Sequence, residues 1–186
     1  MPIVVIQHMP PLFTRLLAAR LNQNSALTIR EGSAGEILKP GDAWIAPGDF
    51  HMCVERKETW AQLALNQGPP ENYCRPAVDP MFRSVAKVFG ANVLAVVLTG
   101  MGCDGSSGAV HIHEKGGQIL AQDEASSVVW GMPGQLVAAG LADAIYPIAD
   151  MAREIGRRVA MHRSSSAIAP QLSAPQFKKG PLTQRQ

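Results

Sequence analysis

Residues 93–108 read VLAVVLTGMGCDGSSG, and the fold turns on this stretch. Positions 93–98 form an unbroken apolar run of strand length, the pattern of a strand covered on both faces in a parallel sheet. A glycine-rich loop follows, and then a short helix opening near Ser106. Working outward, the same alternation repeats. Downstream lie a strand at 118–121, a helix near 132–139, a strand around 143–146 and a last helix from Pro147 to about Val159. Upstream, residues 3–6 read as a strand. A helix starting at Pro10-Pro11 follows it, with Leu12, Leu16, Leu17 and Leu21 on one stripe. Residues 44–54 read as two short strands around a Pro-Gly-Asp turn, and 59–65 as another strand. Residues 78–89 have helical spacing and stop at Gly90. Strand–helix alternation predicts an α/β fold, doubly wound, with a mostly parallel sheet and a small β-hairpin insertion at about 43–65.

The totals bound the function. A chain of 186 residues with 46% hydrophobic and 17% charged residues suits one soluble globular domain. No apolar run approaches the roughly 18 residues a membrane helix needs, and the start lacks signal-peptide order. The expected location is cytoplasmic, without membrane insertion. Three cysteines without CxxC spacing, Cys53, Cys74 and Cys103, fit free thiols in a reducing compartment. Cys53 and Cys74 read as ordinary thiols, and Cys103, inside the glycine-rich loop, as the one candidate for reactivity. All fifteen acids fall within residues 1–160 beside thirteen Lys and Arg, so this part is mildly acidic and offers no footprint for nucleic acid. Residues 161–186 carry four basic residues, are rich in Ser, Pro and Gln, and read as a disordered basic tail.

In an open parallel sheet, ligands gather beyond the carboxyl ends of the strands. His8 follows the first strand, and Asp104 lies in the loop after the most buried one. Alone, His8 reads as a surface loop residue, and Asp104 as a cap of the helix opening at Ser106. Together they can form the base and its orienting carboxylate in a hydrolase. A rival reading uses Gly100-Met101-Gly102-Cys103-Asp104-Gly105, a literal GxGxxG with Asp123 and Glu124 downstream, as a dinucleotide-binding turn. Its mid-chain position and the acid inside the loop count against it. For metals, His111 and His113 fall on different sides of a helix. His51 with Cys53 lacks further ligands, so no metal site is expected from spacing.

Six stretches in order resemble one family: IQHMPPLFTRLLAARL, IAPGDFHM, RPAVDPMFRSVA, LTGMGCDGSSGA, AQDEASSVVWGMPG and AAGLAD. They are similar to the catalytic domain of chemotaxis protein-glutamate methylesterases of the CheB type, over nearly all of residues 1–160. The resemblance implies a serine hydrolase, without a cofactor, that demethylates γ-glutamyl methyl esters and deamidates glutamines on the cytoplasmic region of bacterial chemoreceptors. It assigns His8 as general base, Asp104 as its orienter and the backbone N–H of Met101 to the oxyanion site. It allows a receiver domain or methyltransferase on another chain as further partners.

Two departures stand out. The family's nucleophilic Ser lies on a glycine-rich turn, in a segment like GASTGG, after a strand that precedes the QHM motif. No serine here occupies that place, and Ser106 and Ser107 read as helix-cap residues. Ala77 stands where the family has Ser in its RPSVD motif. The expectation is a catalytic domain truncated at its N-terminus, lacking its first strand and nucleophile turn, with little activity of its own. The alternative is a pseudoenzyme that binds receptor or partner without chemistry.

Overall fold

A computed structural model describes residues 1–166. Of the tail expected at 161–186, residues 161–166 continue the last helix, and the rest lies outside the described residues. Residues Met1–Ala152 make one compact unit, and a second begins at Arg153. The element order is β1 (Ile3–Val5), α1 (Pro11–Gln23), β2 (Thr28–Glu31), β3 (Asp42–Ile45), β4 (His51–Lys57), β5 (Trp60–Asn66) and α2 (Val78–Phe89). Then come β6 (Leu94–Val97), α3 (Ser106–Glu114), β7 (Gln118–Gln122), α4 (Met132–Ala138), β8 (Ala144–Tyr146) and α5 (Ile148–Ser166).

The parallel pairing expected from the apolar runs is present, in two three-stranded halves. One has the order β1-β3-β2 and the other β6-β7-β8, all parallel. Among the described residues, β1 pairs only with β3 and β6 only with β7, so each has one edge without a strand partner. The antiparallel insertion is β4–β5, in register from His51↔Asn66 to Lys57↔Trp60. This corrects the expected hairpin at 43–65. Ala43, Trp44 and Ile45 are buried and hydrogen-bonded on both sides by parallel strands, so the Pro-Gly-Asp turn links two sheets and does not close a hairpin. β2 was not anticipated, since TIRE has no alternating apolar pattern.

The α2 periodicity holds: Val78, Met81, Phe82, Val85 and Val88 are all buried in the main core beside Trp44, Met52, Leu63 and Ile112. The α1 stripe does not. Leu12, Leu16 and Leu21 are about half exposed, and the helix buries Thr14 and Ala18. The Thr14 hydroxyl explains the choice of face. It donates to Glu31 and accepts the Gly48 N–H at 3.0 Å, so a small polar side chain seats the helix on its neighbours. A Cβ on Gly48 would meet the Pro11 nitrogen at 2.3 Å, so only glycine permits this approach to the start of α1. The last helix runs to Ser166, beyond the end expected near Val159.

Candidate active site

The carboxyl ends of β1 and β6 deliver His8 and Asp104 to one point. His8 Nε2 lies 2.7 Å from Asp104 Oδ2, with the His8 side chain 28% exposed and the carboxylate buried. The aspartate is a full acceptor. Oδ2 also takes the Val78 N–H at 2.6 Å, while Oδ1 takes the Asp79 N–H at 3.2 Å and the Asn72 amide at 3.0 Å. Burial pushes the Asp104 carboxyl up, but the bonds from His8, Val78, Asp79 and Asn72 together outweigh it. The net result lies below the ordinary range, and the group stays ionised.

Val78 and Asp79 are the first two residues of α2, whose own cap position is Ala77 with no side chain to offer. Asp104 therefore caps α2 from a distant loop. The N-terminal dipole of the helix favours the charge that orients His8. This corrects the expectation that Asp104 caps the helix opening at Ser106. α3 begins after Gly105, which has no side chain to cap it, and the Ser106 hydroxyl is buried without a partner among the described residues. The tie is reciprocal, because Asp79 of α2 accepts the Gly108 N–H of α3 at 2.6 Å. Gly108 makes this possible, since a Cβ there would sit 2.6 Å from the Phe82 Cβ and 2.9 Å from the Asp79 carbonyl. Asn72 completes the clamp, its amide donating to both Asp79 and Asp104.

Among the described residues nothing accepts the Met101 N–H, and the Met101 side chain is exposed at the mouth of the loop. An open cleft of about 420 Å³ lies over His8, bounded by Pro11, Asp49, Tyr73, Cys74 and Arg75. Among the described residues no serine hydroxyl hydrogen-bonds His8. Ser84 is engaged with Met81 and Val54, and Ser126 and Ser127 with Asp123. The glycine-rich loop turns Asp104 inward onto α2, and Asp123, one of the two ribose-acid candidates of the dinucleotide reading, accepts from Ser126.

His111 and His113 are exposed on α3, and His51 is buried between the Pro69 carbonyl and the Ala77 N–H. None of these joins a metal cluster among the described residues. A different set does come together. His8, Cys74 and Asp104 each place a donor atom within 4.8 Å of the other two. Cys74 and Asn72 escaped sequence reasoning, because they lie about thirty residues from Asp104 and carry no local motif. Their one signal was the breaker NQGPPEN, which ends in Asn72, two residues before Cys74. Cys103, the thiol singled out from sequence, is exposed and 3.8 Å from the Asn72 side-chain oxygen.

The CheB methylesterase family pattern matches residues 1–155. A protein-glutamate methylesterase/protein-glutamine glutaminase of Trichodesmium erythraeum is 52% identical over 158 residues, covering 85% of this chain and 45% of the relative. One of the same name from Maricaulis maris is 54% identical over 157 residues, covering 84% and 39%. The chain thus spans less than half the length of these curated relatives. The crystal structure of the Thermotoga maritima CheB methylesterase catalytic domain superimposes with a TM-score of 0.80 at 41% identity, covering 82% of this chain and 81% of that one.

Proposed function

We propose, from the premise that this chain belongs to the CheB methylesterase family, that it is the catalytic part of a protein-glutamate methylesterase and protein-glutamine deamidase. The substrates are γ-glutamyl methyl esters and certain glutamines on the cytoplasmic region of chemoreceptors, and the place of action is the cytoplasm. The observation that carries this reading is the His8–Asp104 contact at 2.7 Å, with the carboxylate buried and fully hydrogen-bonded. Asp104 fixes the imidazole through Nε2, which leaves Nδ1 as the nitrogen able to take a proton. In the reaction a serine hydroxyl loses its proton to His8 and attacks the ester carbonyl. The tetrahedral oxyanion forms beside the Met101 N–H, a donor with no protein acceptor among the described residues. One such preorganised donor contributes about 3–4 kcal/mol to the transition state. His8 returns the proton to the departing methanol, and water then releases the glutamate by the same route in reverse.

The serine is the unfilled role. β1 and β6, whose following loops carry His8 and Asp104, each have an edge without a strand partner among the described residues, and a strand ending in a nucleophile turn would belong between them. The 186-residue polypeptide by itself has little or no esterase activity on this reading. Methanol release from methylated receptor membranes tests it, with turnover by this polypeptide alone as the opposing result. The absence of a serine hydroxyl on His8 among the described residues equally favours a receptor-binding protein without chemistry. Adding a serine-bearing strand separates the two, since it restores turnover only to the enzyme.

A further inference from the structure

The hydrolase reading leaves Cys74 without a role, although its thiol sits beside the two residues that matter most. An imidazole, a thiolate and a carboxylate form a donor set suited to a borderline-soft cation. Three protein ligands with a fourth position open is the usual arrangement of an accessible zinc site. Hard cations such as Mg²⁺ and Ca²⁺ take oxygen ligands and fit poorly. Zn–S bonds of about 2.3 Å and Zn–N or Zn–O bonds of about 2.0–2.2 Å place tetrahedral ligands about 3.3–3.6 Å apart. The three donor atoms here already fall within 4.8 Å of one another. To admit the metal, the 2.7 Å His8–Asp104 contact must open by about 0.6 Å, with the ion standing where the shared proton was, and the Cys74 thiol, within 4.8 Å of both, must draw in toward them.

Two of the three ligands, Asp104 and Cys74, are also held from behind, as metal ligands usually are. Asp104 keeps the N–H groups of Val78 and Asp79 and the Asn72 amide. Cys74 is fixed by a tight reversal in which Glu71 and Cys74 exchange both backbone hydrogen bonds. Asn72 and Tyr73 occupy its two central positions with φ of 50° and 63°, as a type I′ turn requires. His8 is partly exposed and lines the cleft with Cys74, so an ion has a path in. On binding, the metal takes the place of the Cys74 thiol proton, which goes to solvent.

We propose that His8, Cys74 and Asp104 form a binding site for Zn²⁺ or a cation of its class, and that filling it disables the His8–Asp104 pair. The second clause rests on the hydrolase reading; the binding does not. The test titrates the reduced 186-residue chain with Cd²⁺ and Co²⁺, following thiolate-to-metal charge-transfer absorption and displacement by Zn²⁺. The expected result is a band that saturates at one ion per chain, with a four-coordinate Co²⁺ spectrum. The Cys74→Ser chain loses the band, and His8→Gln weakens the apparent affinity by about tenfold or more. Cys53→Ser and Cys103→Ser leave both unchanged. If Cys74→Ser does not fold by circular dichroism, protection of Cys74 from alkylation by Zn²⁺ in the parent chain gives the same readout. A folded parent chain with no band, a band lost with Cys103→Ser in place of Cys74→Ser, or Cys74 alkylated equally with and without Zn²⁺ overturns the site. None of these readouts depends on turnover, so an inactive chain leaves the test intact.

Discussion

Replacing Asp104 with Asn keeps the shape of the side chain and removes its charge, and the structure sets the cost. Four donors converge on the two oxygens: His8 and the Val78 N–H on one, the Asp79 N–H and the Asn72 amide on the other. An asparagine turns one of those oxygens into an NH₂ group, so whichever way it sits, two donors face a donor. Hydrogen bonds to a charged group contribute about 1.5–3 kcal/mol each, and an unsatisfied buried donor costs about 1–3 kcal/mol. Allowing for relaxation of the exposed His8 and for bonds retained by the remaining oxygen, Asp104→Asn should destabilise the chain by about 2–4 kcal/mol. At about 2–4 °C per kcal/mol for a domain of this size, that lowers Tm by about 5–15 °C. The effect has a pH signature. The folded carboxyl titrates below its ordinary value, so its stabilisation is fully present above the unfolded value of about 4 and is lost as pH falls through the folded one. Parent and variant melting curves should therefore lie apart at pH 7 and converge in acid. Melting temperatures within 1–2 °C of each other at pH 7, equivalent to about 0.5 kcal/mol, would refute the view that this carboxylate holds α2 and His8 together.

Other outcomes follow from the same contacts. Gly108→Ala forces a Cβ against Phe82 and the Asp79 carbonyl, and should cost about 1–3 kcal/mol by urea titration; an unchanged midpoint would count against the close α2–α3 approach. Asn72→Ala removes the amide shared by Asp79 and Asp104. It should lower stability by about 1–3 kcal/mol in the same assay, more than alanine at the exposed Tyr73. Glu154, held down to about 2 by Arg157 and then Arg158, should stay ionised through the range in which ordinary carboxylates protonate. A carboxyl NMR midpoint above 4 would contradict that pairing.

The parts of the molecule legible in the sequence are those where one local pattern answers one local question. The spacing of 78–89 had only to be buried, and it is. The run at 93–98 does form a parallel strand, but only Ala95 and Val97 are buried, with Leu94 and Val96 half-buried and Leu98 exposed. It is therefore not covered on both faces as its apolar run suggested. The α1 stripe misled because four leucines looked like a core face, whereas the hydroxyl of Thr14, bonded to Glu31 and Gly48, selects the face that packs. Residues 43–45 misled because a Pro-Gly-Asp turn also serves to pass a chain from one sheet to another. At the site, His8 and Asp104 were visible because both lie just past strand ends. What was not visible is the use of Asp104 as a cap for α2 in place of the side-chain acceptor that Ala77 lacks. Asn72 and Cys74 were equally hidden. Their places depend on a two-residue reversal that carries them to a loop thirty positions away, and no spacing rule spans that distance.

The central claim is that His8, oriented by Asp104, is the base of an esterase whose serine comes from a strand seated between β1 and β6. Methanol release from methylated receptor membranes tests it most directly when two proteins are compared. One is the 186-residue chain, and the other is the same chain joined at its N-terminus to a strand ending in a GxSxGG-like turn. The account predicts background release from the first, clear turnover from the second, and loss of that turnover on His8→Ala. Turnover by the shorter chain alone, or turnover by the extended one that survives His8→Ala, would contradict it.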